Sequence, residues 1–193
     1  MEIVIATNNN HKVEEFRKIF PSITFYSLKD LGINVKIEEN GKTFQDNSFI
    51  KAKEIKKYTN KIILADDSGL VVNALPNILG VASHRFLGED VPYVTKANKL
   101  IEMLENKDRS AYFECVITIL NLKKEPLFFK GICNGSIATK LSGSNGFGYD
   151  ICFIPDGYDM TFASLPENVK NSISHRAKAS NELYKYLKSE GLL

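Results

Sequence analysis

The sequence predicts a mixed α/β fold, and three observations carry that prediction. Two short apolar runs, residues 3–6 and 62–65, read as buried strands. Val13, Phe16, Ile19 and Phe20 recur at helical spacing soon after the first run. Residues 111–132 are rich in β-branched and aromatic side chains around a Lys123-Lys124-Glu125-Pro126 turn, the pattern of a long hairpin. Helices and strands that interleave with a hairpin fit an α/β protein, although strand order does not follow from them.

Taken in order, the chain opens strand–loop–helix, and Pro21 ends that first helix. A second helix is expected over residues 44–58, with Phe49, Ala52 and Ile55 facing inward. The strand at 62–65 is expected to stop at Asp66-Asp67-Ser68-Gly69, because Asp, Ser and Gly form turns. Asp90 and Pro92 read as the cap and first turn of a third helix. Val94, Ala97, Leu100, Ile101 and Leu104 supply its buried face. Strands are expected at 111–122, 127–132 and 149–154, with a glycine-rich loop at 142–148. A last helix begins near Ser174 and carries Ala177, Ala179, Leu183, Tyr186 and Leu187. No repeat, low-complexity tract or Gly/Ser/Pro linker interrupts the chain, so residues 1–193 are expected to form a single domain.

Composition narrows the function. Among 193 residues, 25 basic and 23 acidic side chains give a net charge of +2. That balance argues against a protein that coats DNA or RNA, and against a disordered polyelectrolyte. Cys115, Cys133 and Cys152 are too scattered for a disulfide scaffold or a zinc knuckle. Met1-Glu2-Ile3-Val4-Ile5-Ala6 lacks the basic and long apolar regions of a signal peptide. No apolar run approaches the ~20 residues that span a bilayer. A cytoplasmic protein with neither membrane nor nucleic acid as partner is therefore expected.

Five groups could carry chemistry. Thr7-Asn8-Asn9-Asn10-His11-Lys12 joins a buried strand to a helix, where unsatisfied N–H groups and the helix dipole favour phosphate. Its bland reading is an Asn helix cap. Asp66 and Asp67 follow a buried strand, and hard oxygen ligands there suit Mg²⁺ when a substrate brings phosphates. Glu39 and Asp46 could add carboxylates, although Thr43 and Asp46 also have the spacing of a capping box. Lys51 alone reads as a solvated lysine. Gly146-Phe147-Gly148 lets the backbone approach a flat ligand, and Phe147 could stack on a base. Neither the P-loop pattern nor the dinucleotide fingerprint is present. Lys170, His175 and Arg176 crowd donors near a helix start, which the dipole disfavours unless a partner accepts them. His11 and His84 have no metal-ligand spacing, and His84 is assigned no role.

The order of these motifs resembles the inosine triphosphate pyrophosphatase family over nearly the whole chain. The resemblance rests on Ala6-Thr7-x-Asn9-x-x-Lys12, Thr43-Phe44 through Asn47, and Lys51-Ala52. It continues with Ala65-Asp66-Asp67-Ser68-Gly69-Leu70, Phe147-Gly148-Tyr149-Asp150 and Lys170-x-x-Ile173-Ser174-His175-Arg176. Pro155-Asp156-Gly157-Tyr158, Thr161-Phe162-Ala163 and Pro166 look more like the eukaryotic branch.

The resemblance implies an elongated mixed central sheet flanked by helices, two lobes around a substrate cleft, and a homodimer. It implies Mg²⁺-dependent hydrolysis of ITP, dITP and XTP to the monophosphate plus pyrophosphate. Thr7, Asn8, Asn9, Asn10, His11 and Lys12 would form the phosphate loop, with Lys51 a second phosphate cation. Asp67 would be metal ligand and general base, with Ser68 beside it and Glu39 the other metal carboxylate. Asp46 stands where the family usually has Glu. Phe147, Gly148, Tyr149, Asp150, Lys170, His175 and Arg176 would surround base and sugar, with Arg176 a donor to a 6-oxo group. Asn8 replaces a common Gly, which matters if that position needs positive φ. Two rivals remain on the residues alone: a nucleotide- or RNA-binding module without catalysis, and a triphosphatase for modified pyrimidines.

Overall fold

Six strands make one sheet in the order β2-β1-β3-β4-β5-β6 among the described residues. The strands are β1 (Glu2–Ile5), β2 (Thr24–Ser27), β3 (Ile62–Val72), β4 (Ser110–Leu120), β5 (Leu127–Ile137) and β6 (Phe153–Pro155). The helices are α1 (Asn10–Ile19), α2 (Phe44–Ile55), α3 (Tyr93–Met103), α4 (Glu167–Ile173) and α5 (His175–Ser189). This is a computed structural model that describes residues 1–193, except the side chains of Asn10 and His11. β1 runs parallel to β2 and β3, whereas β5 and β6 are antiparallel, so the sheet is mixed.

The chain divides into two compact units. The first comprises Met1–Asp67, Cys115–Gly131 and Arg176–Leu193; the second comprises Ser68–Glu114 and Ile132–His175.

In the first unit, strand alternation sorts side chains onto two buried faces. Ile3, Ile5 and Leu64 pack with Val13, Phe16 and Leu183 from α1 and α5. Val4, Ile63 and Ala65 pack with Ala52 and Ile55 from α2. Parallel strands covered on both sides read as continuous apolar runs, which is why residues 3–6 and 62–65 lack a polar face. α2 starts at a full capping box: the Thr43 hydroxyl accepts from the Asp46 amide at 3.0 Å, and the Asp46 carboxylate accepts from the Thr43 amide at 3.1 Å. Buried Ser48 on α2 shares a 2.6 Å hydrogen bond with Thr118 of β4, fixing that helix to the sheet.

The second unit is built around Leu70, Val72, Leu100, Phe113, Phe153 and Phe162. Phe113 and Phe153 meet edge to face at 4.7 Å.

Five local expectations change. β3 does not stop at Asp66 but continues to Val72. Leu70, Val71 and Val72 extend the β-favouring run, and the charges of Asp66 and Asp67 are met by cations, so a turn gains nothing there. α3 is capped by Pro92, not Asp90, and Val94 is 55% exposed. Residues expected as a strand at 149–154 form a 3₁₀ turn, Gly148–Ile151, before the short β6. α4 is not evident from the sequence, because only Val169 and Ile173 of its seven residues are apolar and packed on the core. α2 also ends at Ile55, short of Tyr58.

Candidate functional site

In the first unit the candidate site centres on β3, where consecutive residues face opposite sides of the sheet. Asp67 lies on the α2 side. There Lys51, at the middle of α2, places Nζ 3.3 Å from Asp67 Oδ1 and 3.2 Å from Glu39 Oε2. Lys51 is only 7% exposed, so the solvated lysine expected from sequence is a buried bridge between two carboxylates. Burial alone works against its ammonium, but Asp67, Asp66 and Glu39 outweigh that and raise its pKa. Asp67 moves the other way from a typical paired carboxylate. Burial, with Glu39 adding to it, pushes its carboxyl above the ordinary range, against the opposing pull of Lys51, Lys12 and Asn47.

Two features bear on a cation. Asp67 Oδ2 is buried and has no hydrogen-bond partner among the described residues. The second carboxylate, Glu39, shares the same lysine. No group of three His, Cys, Asp or Glu side chains converges among the described residues. Mg²⁺ commonly takes one or two carboxylates and completes its shell with water and substrate phosphate, so Glu39 and Asp67 fit such an ion. Asp46 is committed elsewhere, since its carboxylate caps α2.

Asp66 lies on the α1 and α5 side. Its Oδ2 stands 3.0 Å from Lys12 Nζ and 3.1 Å from Arg176 Nη2. Burial opposes its charge, but Lys12, Arg176 and Lys51 outweigh burial and hold its carboxyl far below the usual range. Arg176 Nη1 also donates to Glu15 Oε2 at 2.5 Å. Arg176 is thus buried between two carboxylates, where the resemblance expects a donor to the base. At the loop before α1, the Thr7 hydroxyl accepts from the Asn9 amide at 3.1 Å, and the Asn9 carbonyl opens the helix by accepting from Lys12 and Val13. Asn8 and Asn9 are exposed. Asn8 is not among the non-glycine residues with positive φ, so its replacement of Gly carries no strain there. Asn10 and His11, expected in the same loop, lie outside the described residues.

The second unit holds a separate polar group. Lys170, in the last turn of α4, donates to Asp150 Oδ2 at 2.7 Å and lies 4.9 Å from the centroid of the Phe147 ring. Asp150 also accepts from the Phe147 amide at 2.8 Å, which folds the loop back on itself. Gly146 is required here: φ is +75°, and a Cβ would lie 2.2 Å from Asp150 Oδ2. Gly148 likewise has positive φ, and Tyr149 beside it is buried, its hydroxyl donating to the Ser83 carbonyl at 2.8 Å. His175 is buried and stacks on Phe113 at 4.8 Å with a 13° interplanar angle. Ser68, half-buried, begins the second unit. The His84 side chain is exposed, while its carbonyl accepts from Lys96 at 2.5 Å.

Sequence reasoning missed Glu15 and gave Asp66 no role of its own. Glu15 looks like an ordinary solvated helix residue. Asp66 had a signal, because a buried strand position demands a partner for its charge.

A mixed sheet whose central strand carries cation-paired carboxylates beside a strand–loop–helix opening defines an α/β protein suited to a phosphorylated ligand and a divalent cation. The Ham1 family model matches residues 3–186, and the chain belongs to that family. Among curated relatives, a dITP/XTP pyrophosphatase of Oceanobacillus iheyensis is 42% identical over 192 residues, covering 96% of this chain and 98% of that protein. A dITP/XTP pyrophosphatase of Thermoanaerobacter pseudethanolicus is also 42% identical, covering 97% of this chain and 96% of its own. The solved structure of the Staphylococcus aureus Ham1 protein superposes with a TM-score of 0.90 at 40% identity, covering 98% of this chain and all of that one (100%). These relatives are bacterial, so the eukaryotic branch suggested by residues 155–166 gains no support from them.

Proposed function

We propose that this chain hydrolyses non-standard purine nucleoside triphosphates, ITP, dITP and XTP, to the monophosphate and pyrophosphate, and so removes them from the nucleotide pool. The observation that carries this reading is the Glu39–Lys51–Asp67 group on one face of β3, with both carboxylates within 3.3 Å of one buried ammonium. Relatives named dITP/XTP pyrophosphatase, 40–42% identical over nearly the whole chain, support the same substrate class.

Mg²⁺ is the cofactor in this reading, and Glu39 and Asp67 are its protein ligands. When bound, the ion supplies positive charge that offsets charge gathering on the phosphates as the P–O bond breaks. The chain's own residues do the rest. Asp67 accepts the proton of the attacking water, a role that a carboxylate beside the phosphate loop can fill. Lys51 holds Asp67 and Glu39 together and, by its retained charge, favours phosphate. Lys12 and the Thr7–Asn9 backbone form the phosphate loop, with Asn10 and His11 expected there as well.

The Phe147–Asp150–Lys170 group supports base recognition. Phe147 offers a face to a purine, and Lys170 offers a donor that a 6-oxo group satisfies and a 6-amino group does not. A site built to hydrogen-bond a group can reject an analogue lacking it by roughly 10⁴-fold. Gly148, Tyr149, Ser68 and His175 shape the surroundings in this reading. We take the assembly to be a homodimer and the location to be the cytoplasm; no helix among the described residues is long and apolar enough to cross a membrane.

Phosphorus NMR of ITP incubated with the protein tests the reaction. Pyrophosphate and IMP are expected with Mg²⁺ and neither with EDTA. Orthophosphate as the sole inorganic product, or turnover unchanged by EDTA, would overturn the assignment.

A further inference from the structure

Asp66 has no part in the scheme above, yet its surroundings are unusually specific. It is 1% exposed, and a single oxygen, Oδ2, receives Lys12 Nζ at 3.0 Å and Arg176 at 3.1 Å (Nη2) and 3.4 Å (Nε). Arg176 reaches past it to Glu15, which stands one turn along α1 from Lys12. Asp66 and Arg176 are therefore buried together on one side of β3, with Lys12 and Glu15 half-buried at their edge.

The fold alone does not call for this. The same face is otherwise covered by apolar residues such as Leu64, Phe16 and Leu183. Buried ion clusters replaced by apolar residues of similar volume often leave a protein equally or more stable. What the cluster does achieve is local. Lys12 sits in the first turn of α1, where the helix dipole disfavours a cation. Its long stem is flexible and would otherwise sample many rotamers. An ammonium has three N–H donors, so a bond to Asp66 leaves capacity for a phosphate oxygen. Asp66 lies on the opposite face of the strand from Asp67, and its Oδ2 is taken by these two cations, while its Oδ1 is buried with no hydrogen-bond partner among the described residues.

We propose that Asp66 is a positioning residue: it fixes the Lys12 ammonium at the phosphate loop, and Arg176, braced by Glu15, fixes Asp66 in turn. This rests on the reading of residues 7–12 as the loop that takes the nucleotide's phosphates. Asp66 itself touches no reacting atom. Its contribution is to nucleotide binding, exerted through Lys12.

A double-mutant cycle on KM for ITP tests the link, with saturating Mg²⁺ and with circular dichroism to confirm folding. Asp66→Asn is expected to raise KM about tenfold while kcat changes less than about threefold. Lys12→Ala is expected to raise KM at least as much. In the Asp66→Asn background, Lys12→Ala is expected to cost less than about twofold more, which is strong coupling. Effects that multiply independently would overturn the proposal, as would a loss confined to kcat. If Asp66→Asn does not fold, Glu15→Gln enters the same cycle. Losing Glu15 throws Arg176 wholly onto Asp66 and loosens Lys12, so KM rises about threefold only while Lys12 is present. An equal rise in the Lys12→Ala background would overturn the proposal. A wild-type protein that releases no pyrophosphate from ITP would instead sink the underlying reading of the reaction.

Discussion

Asp66 and Asp67 are neighbours in sequence but are bonded on opposite faces of β3, Asp66 to Lys12 and Arg176, Asp67 to Lys51. The environments drive the two carboxyls in opposite directions. Asp66 is held far below the ordinary range by its cations, and Asp67 is pushed above it by burial and by Glu39. Burial thus acts on both carboxyls, and the cations outweigh it at Asp66 but not at Asp67.

The proton-accepting role proposed for Asp67 predicts a kinetic loss without a structural one. Asp67→Asn should lower kcat on ITP by about 10²–10⁴-fold, the usual worth of a general base. The amide keeps the shape of the carboxylate, so urea denaturation should show no loss of stability. Activity within about threefold of wild type would remove Asp67 from this role.

The raised pKa of Asp67 also predicts how stability depends on pH when EDTA keeps metal away. A carboxyl whose folded pKa exceeds its unfolded value stabilises the fold fully below the unfolded pKa, and that contribution is lost as pH rises through the folded value. Metal-free protein should thus lose stability as pH climbs above the ordinary aspartate range. The Asp67→Asn variant should be flatter over that window and more stable at neutral pH. Asp66 has the opposite sign, so its contribution is present above the ordinary range and fades only in strong acid. Urea midpoints measured from pH 4 to 8 check the Asp67 slope, and extending the series into stronger acid checks that of Asp66. Parallel curves for wild type and Asp67→Asn would contradict the shift.

Lys170 predicts a selectivity effect. Lys170→Met removes the donor that contacts Asp150 and the Phe147 ring. The ratio of kcat/KM for ITP over ATP should fall at least about tenfold, chiefly through the ITP value. An unchanged ratio would take base discrimination away from this loop.

Much of this was legible in the sequence, and the failures have physical causes. The apolar runs before Ala6 and Ala65, and the Val13–Phe16–Phe20 spacing, identified the first unit because they are repeated signals of burial. Thr43 and Asp46 showed the capping box directly. Asp66-Asp67-Ser68-Gly69 reads as a strand end because local preference counts turn formers, yet β3 runs through it. Local preference cannot see that Lys12, Lys51 and Arg176, from three different helices, compensate the charges. Lys51 looked solvated for the same reason, since both its partners lie outside its own helix. Arg176 was identified as important by its place at a helix start, but its donors serve Asp66 and Glu15. Long-range ion pairs leave no periodicity in a chain, so only resemblance to known motifs pointed at them.

The most direct test of the central claim is a substrate panel of ITP, XTP, GTP and ATP with Mg²⁺, resolving monophosphate, pyrophosphate and orthophosphate. The account predicts pyrophosphate and monophosphate from ITP and XTP, with kcat/KM at least about 10²-fold above that for ATP. Equal turnover of ATP, or orthophosphate as the only inorganic product, would contradict it.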